Sequence, residues 1–235
     1  NQVVNATVTS TLGLSQPTFG DLNRVIASHL CAAVLPATPL GGGAHRCQLG
    51  QVVGQLCAHP SYKFFTGRQL PVVSDRARAF TTDNWKGLLK RLVQMQVSDS
   101  VLESDIDWAV ASDRSSKPPN KAVANILTLH GDGAGEASEM PEASRLADAD
   151  LCVPWSDPLL IRTRNQRFSA NEKSATLLSN SQSMLRPVER LVSRGQDMFA
   201  SRAYVHQYLK HGLDEDQFSS SFTRLEQSIF DYRAL

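Results

Sequence analysis

The chain has 235 residues, which at a typical domain size corresponds to one or two domains. Its hydrophobic share of 41% is enough for a buried core, and 24 Lys and Arg residues nearly balance 23 Asp and Glu residues. The formal net charge of +1 provides no polybasic field, so neither nucleic acid nor an anionic membrane is an expected partner. No apolar run approaches the ~20 residues that a membrane-spanning helix needs.

The first quarter of the chain reads as three helices and one loop. Residues 1–14 carry a rough helical stripe of Val and Leu, although the β-branched residues make it a weak helix on propensity alone. Pro17 lies near the start of a second helix, and the Pro and Gly residues of segment 36–43 mark a loop before a third helix over 45–57. The second helix is expected to present one face, formed by Leu22, Val25, Ile26, His29 and Leu30.

The middle of the chain predicts strands around one amphipathic helix. Tyr62–Thr66 is a short strand candidate, and residues 67–82 read as a long polar loop. Asp83 is the expected N-cap of the helix that follows. The clearest strand pattern runs from Lys121 to His130. The apolar positions of the helix recur at helical spacing and are Trp85, Leu88, Leu89, Leu92 and Val93.

Residues 131–150 differ in composition from the segments on either side. They are rich in Gly, Ala, Ser, Glu and Asp, which predicts a mobile surface insertion. Residues 159–161 and 174–179 return to the apolar pattern of strands.

The C-terminal part reads as a helical hairpin. Gly212 predicts the end of one helix, because glycine is favoured just past a helix C-terminus. Asp214 and Gln217 have the spacing of a capping pair at the start of the next. That last helix carries one apolar stripe, formed by Phe218, Phe222, Leu225, Ile229 and Tyr232. The whole pattern predicts an α+β fold with a terminal antiparallel helical pair.

Residues that could carry chemistry are scattered. His29, His45 and His59 lie on separate segments, and Cys31, Cys47, Cys57 and Cys152 form no C-x-x-C pair. The glycine runs at 41–43 and 131–135 lack the strand, helix and Lys-Ser or Lys-Thr context of a phosphate loop. The residues therefore predict neither a catalytic group nor a metal site, and they argue against a stand-alone enzyme domain.

Several segments together resemble the tubulin family, and within it the delta type. Pro17–Asn23 reads Pro-Thr-Phe-Gly-Asp-Leu-Asn, close to the Pro-Thr-Tyr-Gly-Asp-Leu-Asn of alpha and beta tubulins. The segments Asp83–Lys90, Phe168–Ala175, Met198–Tyr208 and Phe222–Gln227 look more like the delta type. The matches span nearly the whole chain and are weakest over residues 131–158.

The resemblance implies a division of the chain and a nucleotide. Residues 1–14 would be the central core helix, 15–180 the intermediate domain and 181–235 the C-terminal helical region. The intermediate domain would be a mixed β-sheet flanked by helices. The family's nucleotide-binding strands and phosphate loop would precede residue 1. Asn1 matches the family's guanine-contacting asparagine, and a carboxamide can both donate to and accept from a purine edge. The resemblance therefore implies GTP or GDP in the complete protein and no nucleotide for this chain alone.

A second implication concerns hydrolysis in a neighbouring subunit. In alpha tubulin and its bacterial relatives, acidic residues after the second helix reach into the partner's nucleotide site. The matching segment here is Gly43–Gln51, in which Arg46, Gln48 and Gln51 stand where the family has an asparagine, an aspartate and a glutamate. No Asp or Glu lies between Asn23 and Ser74. Because glutamine orients water but is a poor proton acceptor, the resemblance implies a family GTPase at most, without stimulation by this chain.

The resemblance also implies contact surfaces and a cellular role. Arg76, Arg78 and Phe80 lie where the family makes side-to-side contacts, and Arg46 is a further interface candidate. The delta type implies a cytoskeletal protein of centrioles and basal bodies that acts in assembly of microtubule triplets and cilia. Its expected partners are alpha and beta tubulins, epsilon tubulin and centriolar proteins. The alternatives are another divergent tubulin of epsilon, alpha or beta type, or a nucleotide-independent interaction module.

Overall fold

The centre of the molecule is a four-stranded mixed sheet. The computed structural model describes residues 8–9, 12–14, 16–34, 48–74, 83–110 and 119–235. The spatial order is β1-β4-β2-β3, with β2 and β3 parallel and the other pairs antiparallel. The strands are β1 (Thr66–Leu70), β2 (Ala122–Gly131), β3 (Leu159–Arg164) and β4 (Lys173–Ser181).

Helices flank this sheet and follow it, as the predicted α+β class requires. No helix in the described residues has the length and apolar character needed to cross a membrane. The helices of the described ranges are α1 (Phe19–Val34), α2 (Gln48–Leu56), α3 (Trp85–Val97), α4 (Ala134–Ser138), α5 (Pro141–Ser144), α6 (Leu185–Ala200), α7 (Val205–Lys210) and α8 (Glu215–Arg233).

Strand β2 is buried along its whole length because helices cover both faces of the sheet. Leu127 and Leu129 belong to the larger core, which includes α3. Ala124 and Ile126 point to the other face and pack with Val52 of α2. Burial on both sides explains why β2 reads as a nearly continuous apolar run.

Helix α3 forms as predicted, but its cap is shifted by one residue. All five predicted apolar positions are buried. The N-cap is Asn84, whose side-chain oxygen accepts a hydrogen bond from Gly87 N at 2.6 Å. The prediction of Asp83 was wrong, because its carboxylate pairs instead with Arg91 at 2.8 Å.

Strand β1 corrects the prediction for this part of the chain. The strand runs over Thr66–Leu70, not Tyr62–Thr66, and occupies part of the segment predicted as a loop. The polar sequence of this strand includes Arg68, whose guanidinium group is buried. It donates to Ser100 O (3.0 Å), Gln96 Oε1 (2.7 Å) and Asp99 Oδ1 (3.3 Å). Burial lowers the pKa of Arg68 to about 10, although Asp99 opposes that shift. These partners satisfy a charge that would otherwise destabilise the core.

The structure also corrects the prediction for residues 131–150. They form α4, α5 and a 3₁₀ turn, and their small side chains pack into the main core. Ala134, Ala137 and Ala143 have no exposed surface, and Leu146 is 1% exposed. The prediction of a mobile insertion was wrong because small residues allow these short helices to lie close to the sheet.

Helices α6 and α8 form the predicted antiparallel pair. Glu189 near the start of α6 binds Arg233 at the end of α8, and Gln196 binds Glu226 further along. Gly195 makes this approach possible, because a Cβ there would lie 3.0 Å from Phe222. The capping box of Asp214 and Gln217 is confirmed.

The segment between α6 and α8 contains a break that the apolar pattern did not predict. Arg202 and Tyr204 both have positive φ, and α7 begins only at Val205. Gly212 follows α7 with a φ of +85°, which confirms the predicted helix end.

The N-terminal predictions are only partly covered by the described residues. The helix over 1–14 lies mostly outside them. The second helix is confirmed as α1, and Val25 on its predicted face is buried. Ile26 and Leu30 of that face are exposed, by 37% and 61%. The three-part division of the chain stays a prediction.

Candidate functional site

Most predicted site residues are not described by the structure. Gln48 is the first residue of α2, but its side chain also lies outside the described part. Gln51 is described and is exposed on α2. The predicted residues that lie outside the described ranges are Asn1, Arg46, Arg76, Arg78 and Phe80.

Helix α2 offers a surface that combines apolar and amide groups. Val52 and Leu56 attach it to the sheet, while Leu49 and Val53 stay 55% and 48% exposed on one flank. Gln51 lies beyond the buried stripe, one helical turn before Gln55. An amide can position a water molecule by hydrogen bonding, but it does not take up a proton near neutral pH.

Gln55 connects this helix to an exposed aromatic group. Its side-chain nitrogen donates to the backbone oxygen of Asp157 at 3.0 Å, in the loop that carries Trp155. Three rings meet beside that loop, and we call them the aromatic triad: His59, Tyr62 and Trp155. Their centroids are separated by 5.8 Å for His59–Tyr62, 6.1 Å for His59–Trp155 and 5.6 Å for Tyr62–Trp155.

Sequence reasoning missed the aromatic triad. Trp155 is separated from the other two rings by strands and helices along the chain, so no local spacing could indicate the contact. His59 also bonds to the backbone, because its Nδ1 accepts from Ser61 N at 3.2 Å.

A buried hydrogen-bond network holds the C-terminal helix against this region. The Tyr232 hydroxyl donates to Asn180 Oδ1 at 2.5 Å and accepts from Phe64 N at 3.0 Å. Asn180 in turn donates to the backbone oxygens of Leu56 (2.8 Å) and Tyr62 (3.0 Å). Burial raises the pKa of Tyr232 to about 12, so the phenol stays neutral and keeps its proton for Asn180.

A separate open cleft of about 630 Å³ lies between α1 and the end of β1. Asp21, Arg24 and His29 line it from the α1 side, and Gln69 lines it from β1. Hydrogen bonds from Thr18 lower the pKa of Asp21, and burial lowers the pKa of His29. The cleft therefore brings a carboxylate, a guanidinium and an imidazole group to one open surface.

The described residues contain no group of three His, Cys, Asp or Glu side chains that could hold a metal ion. Cys152 is buried and donates to Leu146 O at 3.1 Å. Burial, reinforced by Asp148, raises the pKa of this thiol to about 11, which keeps it unreactive near neutral pH.

Comparison with known proteins gives one consistent result. No protein-family model matches the chain. The tubulin delta chain of Canis lupus familiaris is 32% identical over 249 residues, which cover 99% of this chain and 54% of the relative. The tubulin delta chain of Homo sapiens is 33% identical with the same coverage. The tubulin alpha-6 chain of Naegleria pringsheimi is 21% identical over 245 residues, which cover 100% of this chain and 51% of the relative. The chain therefore spans about half the length of the curated relatives it matches.

Proposed function

This chain belongs to the tubulin family, and from that premise we propose that it forms contact surfaces between subunits of a delta-type cytoskeletal tubulin. Identity to the delta chains, at 32% and 33%, exceeds the 21% identity to the alpha chain. The exposed flank of α2 and the neighbouring aromatic triad are the surfaces that support the proposal best. Both combine apolar area with polar groups, as protein interfaces do.

The proposal that this chain does not stimulate GTP hydrolysis rests on α2, which contains no Asp or Glu. Gln51 is exposed, so it is available to an adjacent subunit, and the sequence holds no Asp or Glu between Asn23 and Ser74. A subunit with this surface would occupy the filament interface without providing a proton acceptor for water. GTP would then persist at the interface that Gln51 faces.

The nucleotide itself is proposed for the complete protein. Asn1 would contact the guanine together with groups outside this sequence, and the 235-residue chain alone would bind no GTP. Alpha and beta tubulins are the proposed filament partners, with epsilon tubulin as a further one.

The decisive experiment compares GTP turnover in mixed filaments. The complete protein is assembled with alpha–beta tubulin, and phosphate release is measured for the wild type and for Gln51→Glu. We expect little release from the interface that contains Gln51. We expect Gln51→Glu to raise that release about tenfold, a modest part of what a positioned general base contributes.

A matched control tests for charge alone. Gln207 is also exposed on a helix but lies in α7, so Gln207→Glu adds the same charge without changing α2. It should leave phosphate release unchanged. Wild-type filaments that release phosphate as fast as alpha–beta filaments would refute the hydrolysis proposal, and failure to enter filaments would refute the tubulin partners.

The delta type also leads us to propose a role in centrioles and basal bodies. The tagged complete protein should colocalise with centrioles in dividing cells, and its depletion should leave microtubule singlets or doublets in place of triplets. Electron microscopy of basal bodies would show the difference. Normal triplets after complete depletion would contradict this role and favour another tubulin type.

A further inference from the structure

We propose that the aromatic triad binds the guanidinium group of an arginine presented by a partner protein. The three rings form a compact surface beside α2, and Trp155 remains 51% exposed at its edge. Aromatic faces attract cations within about 6 Å of the ring centroid, and tryptophan is the strongest of them.

Each of the other two tryptophans has a lysine ammonium group near its ring. Lys90 Nζ lies 5.6 Å from the ring centroid of Trp108, and Lys173 Nζ lies 6.0 Å from that of Trp85. For Trp155, no such cation is found in the described part of the chain. Trp155 is 51% exposed and Trp108 is 53% exposed, so the two rings are about equally accessible. They differ in whether a cation of the described residues lies on the ring.

The ring geometry favours a planar cation stacked on an outer ring face over a cation enclosed between two rings. The centroids of Tyr62 and Trp155 are 5.6 Å apart, with 31° between the planes. A cation sandwiched between two rings needs about 7 Å, twice an ordinary van der Waals contact, so it must lie on the outer face. A guanidinium group is planar, stacks on aromatic faces and is weakly hydrated, which suits an open face better than an ammonium group.

Charge near the aromatic triad favours the same occupant. Burial raises the pKa of the Tyr62 phenol, and the nearby Asp231 carboxylate raises it further, which places a negative charge beside this ring. Asp157 follows Trp155 by two residues and is exposed. Lys63, next to Tyr62 in the sequence, carries a positive charge, and its Coulomb effect opposes the rise that burial causes in the pKa of Cys57. The Asp231 carboxylate therefore acts on the Tyr62 ring, and Asp157 adds an exposed carboxylate in the Trp155 loop.

The aromatic triad is held in place before any partner arrives. The Tyr62 hydroxyl donates to Asp231 O at 3.3 Å, and its ring packs edge-on against Tyr232 with centroids 5.0 Å apart. In the Trp155 loop, Ser156 Oγ donates to Val123 O of β2. A preorganised surface binds more tightly because little conformational freedom is lost on association.

This inference deepens the proposed function and relies on it only for the identity of the partner, a neighbouring tubulin subunit. The guanidinium site itself can be tested without that partner. We would label the complete protein with 5-fluorotryptophan and follow the ¹⁹F resonances during titration with methylguanidinium, using methylurea as the neutral analogue of similar shape. Trp155→Leu assigns the relevant signal.

We expect the Trp155 resonance to shift at least three times further with methylguanidinium than with methylurea. The Trp108 resonance should shift little with either probe, because Lys90 already lies on the Trp108 ring. Equal shifts for the two tryptophans, or equal shifts with the two probes, would overturn the proposal.

The second experiment measures binding to alpha–beta tubulin. We expect Trp155→Leu to weaken binding about tenfold, Trp155→Phe to weaken it less, and Trp108→Leu to have no effect. If the complete protein binds tubulin and Trp155→Leu binds equally well, the inference fails and the proposed function stands. If the wild type binds no tubulin, the proposed partner fails, and the methylguanidinium titration alone decides the site.

Discussion

All ten residues of strand β2 are buried, whereas only Ile229 and Tyr232 of the nineteen residues in helix α8 are buried. Helix α6 resembles α8, since Val188 and Val192 are its buried residues. The sheet is therefore stabilised by apolar area along its whole length. The helical pair is attached near one end and leaves most of its surface free for contacts. The difference predicts that the two regions respond differently to comparable substitutions.

The largest effect is expected in the sheet. Leu127→Ala removes a side chain with no exposed surface from the main core and should lower the free energy of unfolding by about 3 kcal/mol, through lost burial and a cavity. Urea unfolding followed by circular dichroism measures it. Leu191→Ala in α6, where the leucine is 66% exposed, should cost less than about 0.5 kcal/mol. Equal costs at the two positions would remove the distinction between the regions.

An intermediate effect is expected where the helical pair meets the sheet. Tyr232→Phe keeps the buried ring but leaves Phe64 N and Asn180 Oδ1 without their partner, at a cost of about 2 kcal/mol. Hydrogen exchange should accelerate in α8 more than in β2.

The control for this hydroxyl is Tyr204→Phe. Tyr204 is 58% exposed, and we expect no change in exchange when its hydroxyl is removed. If β2 and α8 of Tyr232→Phe exchange at the same faster rate, the sheet and the helical pair unfold as one unit and the comparison is wrong.

The smallest effect is expected at the far end of α8. Asp214→Ala removes the oxygen that accepts from Gln217 N at 2.8 Å and should cost about 1 kcal/mol. Exchange should increase in the first turn of α8, with little change at Tyr232. Asp216→Ala is the matched control, because Asp216 also lies in the first turn but is not the cap. Equal exchange in both variants would show that charge at the helix end matters more than the cap.

The sequence predicted best those features that depend on neighbours within a few residues. The capping box of Asp214 and Gln217 and the helix end at Gly212 are local, and both are confirmed. The apolar positions of α3 and β2 were also predictable, because their spacing reports the face of a helix or a strand buried on both sides. The one-residue error at Asp83 shows the limit: Asp83 and Asn84 are both good caps, and the contact with Arg91 decides between them.

The sequence failed where distant segments determine the structure. Strand β1 looks polar, and it is a strand because it pairs with β4 and because α3 and its following turn provide Gln96, Asp99 and Ser100 to Arg68. Residues 131–150 look mobile, yet their alanines fit against the sheet. Composition could not reveal either outcome, since it contains no information on what a segment packs against.

The same division applies to the candidate site. The sequence by itself determined the family, the absence of acids around Gln51 and the local signals of the helices, because motifs, residue identities and short-range hydrogen bonds are encoded along the chain. Only the tertiary structure showed that Gln51 is exposed on its predicted helix and brought Trp155 against His59 and Tyr62. Those contacts join segments that meet only after the sheet has formed, so burial and packing decide them, and local sequence does not.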